Sequence, residues 1–328
     1  MQTTIFNRAR SRQVLTALLG ALLVPAAMAW TDRPVKLLVP APAGGNIDVM
    51  ARILADQLSQ DLGQPMVVDN RPGAGGGIAV QALRAAPADG QTVLITTSNV
   101  LTEIPHVIKS GFDPLKDVRP VGAVGRGNMI MVAAPNVPAK DFKSFVAYAK
   151  KNTGTLSFAS YSAGTISHYA GMILNQKLGL DLQHVPFAGS PPALAQVMGG
   201  QIPVMFDGFA TSRAQLAAGK LQVYAVASSK RLSLLPDVPT FTELGYPELT
   251  FSNWGGVVVS SNVSSEIQEK IHKAVRQASN NPKFRSRMLA AGYEAIEDLS
   301  VAELAQSVKV EFERNGAIVK QFNIQLNQ

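Results

Sequence analysis

The stretch Val39-Pro40-Ala41-Pro42-Ala43-Gly44-Gly45-Asn46-Ile47-Asp48 restricts the fold more than any other part of the chain. The apolar run Val35 to Val39 before it predicts a strand. After it, Ile47, Met50, Leu54, Leu58 and Leu62 recur at helical spacing. A strand, a glycine-bearing turn and a helix in succession form one step of an α/β fold. The same geometry aims free backbone N–H groups and the positive end of a helix dipole at one point. An anion binds there without a cationic side chain. Asn46 is the predicted N-cap, and Asp48 then falls in the first turn, where a carboxylate is favourable. An ordinary β–α turn that binds nothing has the same pattern, so this stretch alone leaves both readings open.

The step repeats down the chain. Met66–Asp69 predicts a strand, and Asn70-Arg71-Pro72-Gly73-Ala74-Gly75-Gly76-Gly77 leads from it into a helix at Ile78–Ala86. These glycines are neither a dinucleotide fingerprint nor a phosphate loop, since Ile78 stands where the former needs glycine and no Gly-Lys-Ser/Thr follows. Strand Val93–Thr97 ends in Thr97-Ser98-Asn99, polar residues at the carboxyl end of a strand, where α/β proteins bind ligands. Leu156–Ser160 is a further strand, followed by Tyr161-Ser162-Ala163-Gly164-Thr165-Ile166-Ser167-His168 and a helix. This second unit of the opening type predicts two loops that clamp one anion from both sides. Strand Val204–Phe206 ends at Asp207, which is thereby expected to border the cleft and to accept a hydrogen bond from a ligand; a turn-capping aspartate fits the same position. Strands and helices alternate throughout, so the expected class is α/β.

The first 29 residues differ from the rest. Arg8, Arg10 and Arg12 precede an apolar run, Val14 to Val24, too short to span a bilayer, and Ala27-Met28-Ala29 offers a small-residue cleavage site. Residues 1–29 are therefore the predicted secretory signal peptide, with cleavage before Trp30. Its removal takes the net charge from +7 to 7 − 3 = +4, a mild basicity that suits small anions. The chain has no cysteine, which excludes disulfides, thiolate metal sites and a lipid-modified cysteine, and favours a bacterial periplasm over a eukaryotic extracellular space.

Enzyme signatures are incomplete. Ser160-Tyr161-Ser162-Ala163-Gly164 lacks the first glycine of a nucleophile elbow. An esterase using Ser162 and His168 remains a second reading. His106, His168, His184 and His272 lack metal-ligand spacing, so neither a metal nor a cofactor is expected. No aromatic-and-basic pattern points to nucleic acid.

A series of motifs in order gives the chain a resemblance. They are Arg33-Pro34-Val35-Lys36-Leu37-Leu38-Val39-Pro40, Pro42-Ala43-Gly44-Gly45 with Asp48, Asn70-Arg71-Pro72-Gly73-Ala74-Gly75-Gly76, and Asp113-Pro114-Leu115-Lys116-Asp117. His184-Val185-Pro186-Phe187, Gly199-Gly200-Gln201, Met205-Phe206-Asp207 and Leu235-Pro236-Asp237-Val238-Pro239-Thr240 follow. The mature chain resembles the tripartite tricarboxylate transporter substrate-binding proteins, the Bug or TctC-like family. The resemblance implies a type II periplasmic binding protein of two α/β lobes joined by two hinge-crossing strands. Lobe 1 is expected at residues 30–128 and 254–328 and lobe 2 at 129–253, with Met129–Ala134 and Trp254–Val259 crossing. It implies a monomeric, non-enzymatic receptor for a small mono- or dicarboxylate, aromatic acids included, that serves membrane transporter subunits. A sensory receptor for a membrane kinase is the alternative role. The ligand-binding residues so implied are Ala41, Pro42, Ala43, Gly44, Gly45, Asp48, Ser98, Ser160, Tyr161, Gly164, Thr165, His168, Phe187 and Asp207. The sequence departs from the family at Ala41, where Phe is usual, and at Tyr161-Ser162-Ala163, where Ala-Gly-Asn is usual.

Overall fold

A computed structural model describes residues 30–109, 111–251 and 253–324. The signal peptide expected at 1–29 lies outside the described residues.

The opening unit forms as its pattern requires. Strand β1 (Val35–Val39) leads through the loop to helix α1 (Asn46–Leu62). Helix α1 buries Ile47, Met50, Ala51, Leu54 and Leu58 along one face and stops at Gly63, in the left-handed conformation. Strand β2 (Met66–Asn70), helix α2 (Gly77–Ala85), strand β3 (Thr92–Thr97) and the short helix α3 (Asn99–Thr102) follow. Next come strands β4 (Val118–Gly127) and β5 (Met129–Ala133), helix α4 (Phe142–Lys151), strand β6 (Ser157–Ser160) and helix α5 (Ile166–Leu178). Strand β7 (Gln183–Pro186), helix α6 (Ser190–Met198), strand β8 (Val204–Gly208), helix α7 (Phe209–Ala217) and strand β9 (Gln222–Val226) continue the chain. Strand β10 (Asn253–Ser260), helices α8 (Ser265–Asn280) and α9 (Pro282–Ala290), strand β11 (Tyr293–Glu294) and helix α10 (Val301–Gln321) complete it.

Two sheets result, in the orders β11-β4-β10-β3-β1-β2 and β7-β6-β8-β5-β9. In the first, β1 runs parallel to β2 and β3, and antiparallel β10 flanks β3. In the second, β6 runs parallel to β7 and β8, and antiparallel β5 flanks β8. The orders β2-β1-β3-β10 and β7-β6-β8-β5 are therefore one topology used twice. The loop after β1 and the loop after β6 occupy equivalent places. So do the loops after β2 and β7.

The chain leaves the first sheet at Gly127 and enters the second at Met129; it re-enters the first at Asn253. The stretches 129–134 and 254–259 thus each begin at a passage and then run within a single sheet. One core belongs to the second sheet, and Phe322 and Ile324 join it. The end of the segment expected in lobe 1 accordingly packs on lobe 2. Two cores cover the faces of the first sheet. Strand β4 carries Pro120 and three glycines, which read as strand breakers in sequence. It is a strand because its pairing with β10 is bulged, with register shifts at Gly255/Gly256 and Val257/Val258.

Candidate functional site

Between the two sheets lies a cavity of about 330 Å³. Five loops supply its walls, those after β1, β2, β3, β6 and β7, together with Asn253 at the start of β10. Their convergence follows from the duplicated topology, since each leaves the carboxyl end of a parallel strand. Among the described residues that line the cavity there is no Lys, Arg, His, Asp or Glu. Pro42, Val100, Ile104 and Phe187 give it an apolar body; Asn46, Thr97, Asn99 and Asn253 give it polar corners.

The loop after β1 is held from behind. Asp48 is buried, and its carboxylate accepts from the Gly44 N–H (2.8 Å), the Asn70 amide (2.9 Å) and Arg52 Nε (2.9 Å). Burial raises its pKa and these three donors overcome that, so the carboxyl sits below its usual range. The Gly45 N–H closes the turn on Pro42 O at 3.0 Å. The N-cap is therefore Gly45 rather than Asn46, and the helix begins at Asn46. The first intrahelical bond is from the Val49 N–H to Gly45 O at 3.1 Å, so the N–H groups of Asn46, Ile47 and Asp48 have no intrahelical acceptor. These groups, not those of Gly44 and Gly45, are the donors of this helix start.

The cavity brings together Ala41, Pro42, Gly45, Tyr161, Thr165 and Phe187 of the residues named from sequence. Ala43 and Gly44 are exposed and off its wall, and Asp48 braces the loop behind it. Ser98, Ser160, Gly164 and His168 are likewise off the wall. Ser98 is buried with its N–H on Trp254 O (2.8 Å). Ser160 is fully buried with its Oγ 2.7 Å from His184 Nε2. The Gly164 N–H donates to His168 Nδ1 at 3.2 Å. His168 stacks on His184, ring centroids 4.0 Å apart; burial lowers the pKa of His168 to about 4, and burial first and repulsion from His168 second lower that of His184 to about 3. Ser162 Oγ donates to Ala163 O, so the serine and histidine of the esterase reading are each engaged elsewhere.

Asp207 does not border the cavity. It is completely buried and accepts from Ser190 Oγ, Thr211 Oγ1 and Ser212 Oγ, each at 2.6 Å. Burial raises its pKa against the three hydroxyl donors. The reason is register: the side chain follows the pleat of β8 into the layer behind the wall, and only Ser190 reaches the cavity. Of the polar strand end Thr97-Ser98-Asn99, Thr97 and Asn99 reach the wall and Ser98, the one expected as a ligand contact, does not; Asn46, Ser190 and Asn253 were missed as wall residues. Asn46 stands in a loop already singled out, and that was the available signal.

The halves also touch. Tyr169 Oη donates to Glu103 O across the seam at 2.9 Å, and a Cβ on Gly189 would stand 2.4 Å from Pro42 Cγ. Two α/β lobes around an interlobe cavity with neutral walls are the architecture of a periplasmic solute-binding protein. The chain belongs to the family described as tripartite tricarboxylate transporter family receptor, whose model matches residues 50–324. Three solved structures are similar to it. The periplasmic binding protein BugD is 32% identical, covering 90% of this chain and 99% of its own, with a TM-score of 0.84. Rpa4515 of R. palustris with adipate is 28% identical over 90% and 99%, with a TM-score of 0.86. MatC from Rhodopseudomonas palustris with bound malate is 30% identical over 88% and 99%, with a TM-score of 0.81. The protein is a Bug/TctC-like periplasmic solute-binding protein, and among its described residues no helix is long and apolar enough to cross a membrane.

Proposed function

We propose that this protein captures a small organic carboxylate in the interlobe cavity and delivers it to a tripartite tricarboxylate-type membrane transporter, without catalysing a reaction. The observation that carries the reading is a helix start whose Asn46 and Ile47, both wall residues, keep N–H groups without an intrahelical acceptor, at a cavity with no charged residue among its described lining. A carboxylate placed there receives charge-assisted hydrogen bonds and the field of the helix dipole. The adipate and malate of the two similar proteins support a carboxylate over a neutral solute. The contacts proposed are Gly45, Asn46, Asn99, Tyr161, Thr165 and Phe187. The proposal includes a monomer exported by the leader at 1–29, with lobe boundaries near Asn128 and Asn253.

The test is a thermal-shift screen of the mature protein against organic acids and neutral sugars. A ligand that binds only the native state raises Tm, by about 2.7 kcal/mol of stability at a hundred times Kd. Carboxylates are expected to raise Tm and sugars to leave it unchanged. A sugar response with no acid response would remove the proposal.

A further inference from the structure

The two equivalent helix starts facing the cavity differ chemically. At α1 the N–H groups of Asn46, Ile47 and Asp48 are unspent within the helix. The Tyr293 hydroxyl lies against both the backbone carbonyl and the side-chain Oδ1 of Asn46 (3.0 Å to Oδ1), so the oxygen end of the amide faces Tyr293 and its nitrogen is the remaining donor. Thr97 Oγ1 donates to Asn99 Oδ1 and does the same for Asn99, which is 3% exposed and on the wall. Donors therefore collect on the side of the first sheet.

On the second side the donors are turned inward. The Gly164 N–H goes to His168 Nδ1, the Gly189 N–H to Tyr161 O and the Phe187 N–H to Ser160 O. Thr165 Oγ1 and Ser162 Oγ donate to carbonyls of their own loop, and Ser190 Oγ to Asp207. The start of α5 lies behind the wall: Thr165 lines the cavity, but Ile166, Ser167 and His168 are buried and off it, whereas Asn46 and Ile47 of α1 are on it. What this side offers a ligand is the rings of Tyr161 and Phe187, with Pro186 and Ala188. A second carboxylate placed there would lose its hydration without gaining donors, a cost of several kcal/mol for an unpaired charge.

We infer that the site takes a monocarboxylate with an apolar tail, its carboxylate at the start of α1 and its tail against Tyr161 and Phe187, and discriminates against dicarboxylates. The inference rests on the carboxylate reading of the same cavity. The test is titration calorimetry of the full mature protein against monoacids (hexanoate, benzoate, phenylacetate) and diacids (succinate, adipate, phthalate). Hexanoate and adipate share a carbon count and differ by one carboxylate. The expected result is that the tightest monoacid binds at least roughly tenfold more tightly than the tightest diacid. Tyr161→Ala, which removes the ring the tail packs on and lets water reach a second carboxylate, should move the adipate-to-hexanoate ratio at least roughly tenfold toward adipate. Tyr161→Phe, which keeps the ring, should leave the ratio close to that of the wild type. Diacids binding as tightly as monoacids, or more tightly, overturn the inference and leave the carboxylate reading standing. Binding of no acid of either kind overturns both.

Discussion

At the scale of the residue, Glu103 is a carboxyl whose ionisation the fold opposes. It is buried at the seam between the lobes, with one carboxyl oxygen lacking a partner. Burial first, then the nearby Glu311 on α10, push its pKa up to about 8, against the attraction of Arg314. The folded protein therefore holds a proton that the unfolded chain releases near the ordinary value of 4.5. Between those two values the native state binds more protons than the unfolded one, so stability falls as pH rises through the window, by at most about 1.4 kcal/mol for each pH step of one. His168 and His184, with lowered values, act in the opposite sense but only below about 6.5. Melting by circular dichroism should show Tm falling from pH 6.5 to 8.5 in the wild type, with most of that slope gone in Glu103→Gln. Parallel slopes in the two proteins would show that Glu103 ionises freely in the fold. None of this is legible in the sequence, where Glu103 is one acid among 23. Its environment is made by α5 and α10, which are remote in the chain. Asp207 is visible as a strand-end acid, but its partners Ser190, Thr211 and Ser212 come from the starts of two helices, and their packing takes it off the wall.

At the scale of the element, the strand–loop–helix units are legible because each is encoded within about 30 contiguous residues. The apolar run, the glycines and the helical spacing of β1 through α1 are all local. Strand β4 is not legible, because its glycines are strand breakers until β10 bulges against them. Helices α7 and α9 are not legible either; each buries only two residues, Phe209 and Ser212 in α7 and Phe284 and Met288 in α9, too few to draw an apolar stripe. The loop between β7 and α6 meets the opposite lobe across the cavity. Gly189 holds φ +124° with Pro42 of the opposite lobe against it. Gly189→Ala should therefore prop the lobes apart: ligand affinity should fall by at least roughly tenfold, about 1.4 kcal/mol. Tm without ligand should change by only a few degrees. Titration calorimetry and melting on the same preparation check this, and unchanged affinity would show that the contact plays no part in capture.

At the scale of the whole molecule, duplication explains the site. One topology used twice places two strand-end loops and two helix starts around one cavity, and the differences between the copies give it a donor side and an apolar side. The sequence shows both loops and their pairing. It cannot show that Asp48 and Pro42 consume the Gly44 and Gly45 N–H groups, which shifts the available donors into the first turn of α1.

The most direct measurement follows from that shift. Asn46 is the first residue of α1, where proline is accepted, and Gly45 at φ −70°, ψ 162° already has the conformation a residue before proline prefers. Asn46→Ala removes the amide side chain, and Asn46→Pro removes the side chain and the N–H together. The difference between them, by titration calorimetry with the tightest acid of the screen, isolates one backbone donor. The expected result is that Asn46→Pro binds roughly ten- to a hundredfold more weakly than Asn46→Ala, as befits a lost hydrogen bond to a charged group of about 1.5–3 kcal/mol. No single alanine change among Arg33, Arg71, Arg119 and Arg126 should abolish binding. Equal affinities of the two Asn46 variants, with binding abolished by one of those arginine changes, would contradict the account and assign the ligand to a salt bridge.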